Sequence, residues 1–297
     1  MKIRNILFLF LLIVFIPKNN FGQLKDTTEF KFVFLPKGLN FLPLKAGIDE
    51  PRMGLLYYSS TSNLKVDIGN SVDIFGFNLP KLKSRITIGA EFMAYAYVTS
   101  FLAYRLQIDA IDGFFGGHIV YSKDYDWGIM NYRFRYIHNS AHLVDGHWNN
   151  TTNEWIDNQE PSAYGNNYAE LLIAPQQNIG ITLIRYYGGL ALSTGMKTGY
   201  KQQKKILYKA GFEYSIPGLL GRILNKDESV FTAVNLDIKG IPEYIINQNY
   251  LLGIKFGAWE GKGVIIYASY YNGGDVFNQY FNYRVSRFGI GFMIDFI

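Results

Sequence analysis

The sequence predicts an all-β chain, folded as a transmembrane antiparallel β-barrel of about twelve strands. Three observations carry that expectation. Segments of 8 to 12 residues alternate apolar and polar side chains along most of the chain, close to the ~9–11 residues a tilted spanning strand needs. Aromatic residues gather near segment ends, at Tyr95–Tyr97, Tyr186–Tyr187 and Tyr270–Tyr271, where a membrane barrel carries its interfacial girdles. After the N-terminal run, no stretch reaches 18 consecutive apolar residues and no amphipathic helix is evident, so a membrane could be crossed only by strands.

Composition agrees. The 297 residues include 23 Tyr, 23 Phe and 30 Gly but no Cys. Mean hydropathy is +0.00, too polar for a helical membrane protein and the average that alternating lipid-facing and lumen-facing rows produce. Without Cys, thiol catalysis, disulfides and a lipoprotein anchor are excluded.

The elements follow in order. Lys2 and Arg4 precede an apolar run from Ile6 to Ile16, too short to span, which Pro17 ends; residues 1–22 read as a signal peptide. Removing Lys2, Arg4 and Lys18 from 29 basic residues leaves 26 against 24 acidic ones. That near-neutral balance gives no reason to expect a nucleic-acid partner. Residues 23–51, broken by Pro36, Pro43 and Pro51, hold no period for long; they are expected to be a periplasmic segment lying against or partly plugging the barrel mouth. The barrel, 52–297, is then read as strands at about 52–60, 63–75, 85–97, 103–112, 126–138, 165–174, 178–193, 205–214, 228–238, 248–257, 263–271 and 285–297. An even count puts both chain ends on the periplasmic side. The connection 139–164 is then extracellular. The connections 113–125 and 215–227 are periplasmic, the second with room for a short helix.

The last strand alternates most cleanly, Phe288, Ile290, Phe292, Ile294 and Phe296 against Arg287, Gly289, Gly291, Met293 and Asp295. It resembles the C-terminal assembly signal of bacterial outer-membrane barrels, which implies the barrel-assembly machinery as a partner.

The fifth strand carries the chemistry. Met130, Tyr132, Phe134 and Tyr136 share one face and continue into His138, Ser140 and His142; Asn131, Arg133 and Arg135 share the other. In a barrel the aromatic row faces lipid and the arginines enter the lumen, where Arg133 and Arg135 join a charge network. Residues i and i+2 project side by side, ~6–7 Å apart at Cα. His138 can therefore take the proton of Ser140 and make it a nucleophile toward an ester carbonyl. A third group normally orients the imidazole. Glu170 on strand six is the candidate if its register suits; Asp145 and Asn139 compete, Asn139 from the opposite face. His142 is a supporting partner or, with His138 and Asp145, part of a partial metal site. The histidines and serine are equally ordinary where a strand leaves the membrane. No metal or organic cofactor is expected.

Two resemblances follow from these residues. DYDWGIMNYRFRYIHNSAHLVD, with the earlier LKAGIDEPRMG, resembles an uncharacterised family of bacterial outer-membrane-type barrels sharing H-x-S-x-H-L-x-D. That resemblance implies a fold and a bacterial outer-membrane location. Separately, His138-Asn139-Ser140 is similar to the H-x-S of lipid A deacylase and outer-membrane phospholipase A, which set His and Ser on one outward strand and add Glu or Asn from the next. It implies Ser140 as nucleophile, His138 as base, Glu170 as orienter and outer-membrane lipid as substrate; the phospholipase's calcium-ligand cluster has no counterpart. Two other functions stay open: a non-catalytic barrel (pore, scaffold or envelope component), and a receptor using the 139–164 loop.

Overall fold

The computed structural model describes residues 30–101, 105–146, 148–149, 151–195, 197–198, 204–223, 225–240 and 243–296; the expected signal peptide lies outside them. Twelve strands form one closed antiparallel barrel. They are β1 (Met53–Tyr58), β2 (Asn63–Leu79), β3 (Ser84–Phe101), β4 (Arg105–Tyr125), β5 (Gly128–Leu143), β6 (Tyr164–Ile179), β7 (Thr182–Ser193), β8 (Ile206–Pro217), β9 (Glu228–Gly240), β10 (Tyr244–Phe256), β11 (Gly263–Gly274) and β12 (Arg284–Asp295). Each pairs with its sequence neighbours, and β12 closes the ring on β1 through Ile294↔Met53 to Gly289↔Tyr58. Helix among the described residues is confined to short 3₁₀ turns.

The side-chain rows fall as a membrane barrel requires. Phe134 and Tyr136 are 42% and 48% exposed on the outer surface, while Arg135, one residue from each, is 0% exposed inside. The same inversion holds on β12, where Phe288, Ile290 and Phe292 face out and Arg287 and Met293 are buried. A water-soluble fold would bury the aromatic row and solvate the arginines; lipid outside and a polar bore inside demand the reverse.

Several expected boundaries are corrected. β4 continues through 113–125, the stretch expected to be a periplasmic connection, because Phe115, Ile119 and Tyr121 keep the outward row going to a tight turn at 126–127. β5 runs to Leu143 and β6 starts at Tyr164, so His138, Ser140 and His142 sit within a paired strand and the loop is 144–163. Between β8 and β9 the described residues hold a turn with an Ile223↔Lys226 bridge in place of a helix. Bulges at Asp73/Phe75 and Tyr97/Val98 shift the outward row by one residue. Asp109 and Ala110, adjacent in sequence, are therefore both buried inside.

The first strand is split. A lead-in strand, Lys31–Phe34, pairs with the lower end of β2 (Lys31↔Asn78 to Phe34↔Phe75). Its outward Phe32 and Phe34 pack on Phe75 and Phe77, with centroids 5.4 to 6.2 Å apart. At Leu35 (φ 50°) and Pro36 the chain leaves the wall, since Pro has no N–H to continue a ladder. Residues 35–52 cross the bore before the wall resumes at Met53. Residues 35–52 thus plug the barrel, while Lys31–Phe34 belong to its wall.

The upper bore is closed by residues 275–283. Arg287 grips Asp275 through two bonds of 2.7 Å. Asn278 donates to Asp112 at 2.6 Å and Gln279 to the Ala141 carbonyl at 2.8 Å. Phe277 stacks on Tyr97 at 4.3 Å. Among the described residues two small cavities line the bore, one beside Arg52, Lys65 and Asp67, another beside Asp49, Glu170 and Lys209.

Candidate functional site

Two polar clusters stand on opposite sides of β5. The inner one holds the plug. Register places Arg135 directly across from Glu170. Its Nε and Nη2 donate to the two Glu170 oxygens at 2.9 and 3.0 Å, and Nη1 reaches Glu91 at 3.3 Å. Arg133, two residues down the strand, donates twice to Glu50 of the plug and once, at 3.0 Å, to Glu170. Lys209 from β8 bonds Asp49 at 2.8 Å and Glu170 at 2.9 Å. Phe41 of the plug lies under the guanidinium groups of Arg133 and Arg185, 4.4 and 5.1 Å from its centroid.

Burial alone would raise the Glu50 carboxyl pKa; the guanidinium groups of Arg133 and Arg135 outweigh it and lower it to about 2. Asp49 is likewise held well below the ordinary range: burial opposes ionisation, and Lys209 and Arg135 overcome it. A buried charge is tolerated only when paired, and this network pairs the plug's two acids with cations of the wall.

The outer cluster sits near the top of β5, where His138 and Ser140 are half-buried and His142 is exposed, all facing outward. His138 Nδ1 lies 2.6 Å from Asn167 Oδ1, directly across on β6. An amide oxygen can only accept, so Nδ1 carries the proton and Nε2 is left as an acceptor. The ring also packs on Phe115 of β4 at 4.8 Å. Ser140 Oγ lies 3.0 Å from His142 Nε2. The Ser140 hydroxyl thus bonds His142 and not the expected His138, which stands two residues away on the same face and is oriented by an amide.

Two site expectations need correction. Glu170 does not orient His138: it is 2% exposed, inside the bore, bound to Arg133, Arg135 and Lys209. Asp145 lies beyond the end of β5, its N–H donating to the Ile108 carbonyl. Asn139 points into the bore, opposite the histidines, and is buried. Asn167 was missed, along with Asp49 and Glu50. On β6 apolar residues occupy both rows, Leu172 and Ala174 inside with Leu171 and Ile173 outside, so alternation cannot assign faces. The charge could have: a carboxylate belongs in the bore, not against lipid. That puts Asn167, an odd number of residues away, on the outside.

No protein-family model matches the chain, and no curated protein matches it. Among solved structures it is similar to a chain described as "Bacterial polysaccharide outer membrane secretin", at 11% identity over 83% of this chain and 98% of that one, with a TM-score of 0.31. The strand count, closure and inverted side-chain rows define an outer-membrane-type β-barrel, here with a filled bore and a polar cluster on its outer wall.

Proposed function

We propose that this barrel resides in a bacterial outer membrane, delivered by the signal peptide at 1–22 and assembled through its C-terminal strand, and hydrolyses acyl esters of outer-leaflet lipid at Ser140. The observation that carries the reading is the outward His138–Asn167 pair, 2.6 Å apart, beside a serine already bonded to a second imidazole. Its position supports the reading: Ser140 stands two outward residues above Tyr136, so the outward aromatic row leads up to the hydroxyl. The filled bore leaves the outer surface as the place to act. The H-x-S similarity to lipid A deacylase and outer-membrane phospholipase A points the same way, with Asn167 in the orienting place.

In this mechanism Ser140 Oγ attacks the ester carbonyl carbon while its proton passes to His138 Nε2. His138 then protonates the departing alcohol oxygen, leaving an acyl-serine. Water, deprotonated by the same nitrogen, releases the fatty acid and restores the serine. His138 is the working base because Asn167 fixes its tautomer and ring; rotation about Ser140 χ1 carries the hydroxyl from its resting partner His142 toward His138. The test is fatty-acid release from phospholipid or lipid A by the purified barrel, compared with Ser140→Ala. Equal release by the two proteins refutes the assignment.

A receptor role for the 144–163 loop is the second reading, favoured by its hairpin, which pairs Trp148 with Trp155 edge to face at 4.9 Å. Binding lost on trimming that hairpin would support it.

A further inference from the structure

Ser140 has a glycine on each side. The register sets Gly113 of β4 opposite Ser140 on one flank and Gly165 of β6 opposite it on the other. Most glycines in this wall are required where they stand. A Cβ on Gly116 would come within 2.0 Å of the Tyr136 carbonyl, and one on Gly189 within 2.2 Å of the Leu171 carbonyl. Gly113 and Gly165 are different. A Cβ on Gly113 would meet nothing nearer than the Ser140 carbonyl at 3.9 Å, and one on Gly165 nothing within 4 Å. Neither has a backbone angle in the left-handed region. Packing and conformation therefore allow a side chain at both, and a strand would gain from one, since interior glycine weakens a strand and leaves nothing to pack.

What the two glycines provide is approach. Directly opposed residues on neighbouring strands lie ~4.5–5.5 Å apart, so any larger outward side chain at 113 or 165 would stand beside the Ser140 hydroxyl. With glycine at both, the hydroxyl sits at the floor of a shallow furrow crossing β4, β5 and β6. Phe115 and His138 form its next step toward the membrane, packed ring on ring. Resting on the hydrolase reading above, we infer that Gly113 and Gly165 determine specificity: they admit an acyl ester whose long hydrocarbon chain lies flat on the wall while its carbonyl carbon reaches Ser140. The chemical class is a long-chain acyl ester of an amphiphile, whether glycerophospholipid or acylated saccharide lipid. An acetyl ester, with no chain to lay down, needs the furrow less.

The experiment uses the full barrel in detergent micelles. Gly113→Leu, Gly165→Leu, the two alanine variants, Ser140→Ala and a remote outward control, Ala210→Leu on β8, are compared. Substrates are dioleoyl phosphatidylethanolamine, purified lipid A and p-nitrophenyl acetate. The leucine variants should lose roughly tenfold to a hundredfold in long-chain hydrolysis relative to acetate, mostly as raised KM, a misplacement-sized effect. The alanine variants should fall between, and the control should match wild type. Which lipid shows the larger loss names the source. Ser140-dependent release that the leucine variants carry out with wild-type chain-length preference overturns the furrow alone. An equal loss on acetate and lipid also overturns it, since the serine and not its approach would then be disturbed. Absence of Ser140-dependent release from every ester overturns the hydrolase reading and this inference with it. The alanine variants keep the comparison valid if leucine impairs folding, which heat-modifiable gel mobility reports.

Discussion

Arg133 and Glu50 meet across the bore through two parallel bonds, Nη1 to Oε2 at 2.7 Å and Nη2 to Oε1 at 2.6 Å, although 83 residues separate them in sequence. Such paired geometry is directional as well as strong. Glu50→Ala would leave Arg133 buried with one carboxylate fewer. Removing one partner of a buried pair costs about 3–5 kcal/mol. Urea unfolding in micelles should show a loss of that size. A midpoint matching wild type would mean the plug is held by other contacts.

Acid should weaken the same lock. The folded Glu50 pKa is depressed, to about 2, so its contribution is fully present above the ordinary glutamate value of ~4.3. It is lost as pH falls from there through about 2, because the unfolded state binds the proton first. Asp49 acts in the same direction. Stability from these acids should be flat from neutral pH down to about 5 and then decline. Glu50→Gln should flatten much of that decline; an unchanged acid limb in the variant would assign the loss elsewhere.

A bore stopped at both ends should not conduct. Wild-type protein in a planar bilayer should give no steady current, deletion of residues 37–50 alone should leave the upper stopper at 275–283 in place, and discrete channel steps should appear only when both are removed. Stable conductance from the intact barrel would contradict the filled bore.

At the outer cluster the losses should be graded. His138→Ala should lower turnover by roughly 10²–10⁴. Asn167→Ala should lower it by about 10–10². His142→Ala, which removes a resting contact, should lose less than roughly tenfold. If His142→Ala proves worse than His138→Ala in a lipid-release assay, the base is His142.

Leu252 on β10 is 63% exposed. On a water-facing surface Leu252→Arg would change stability by less than about 0.5 kcal/mol. In a bilayer it should cost about 2–4 kcal/mol near the midplane. Refolding titrations into vesicles distinguish the two.

The barrel itself was legible because its rows differ in polarity. On β8, Tyr208 and Phe212 against Lys209 and Glu213 allow only one orientation once lipid lies outside. The split first strand was not legible, since three prolines erased periodicity while Phe32 and Phe34 still supplied a short lipid-facing row. The outer cluster was half legible. Spacing placed His138 and Ser140 on one face, but their partners depend on cross-strand register, which β6, apolar on both sides, does not reveal. Asn167 opposite His138 could be known only from the pairing.

Because the stopper at 35–52 begins and ends in wall strands, it is sewn in at both ends. Both of its ends stay fixed to the wall while Lys31–Phe34 and Met53–Tyr58 remain zipped to β2. The final seam between β12 and the six-residue β1 therefore closes beside a segment anchored at both its ends, which couples the fastening of the wall to the seating of its contents.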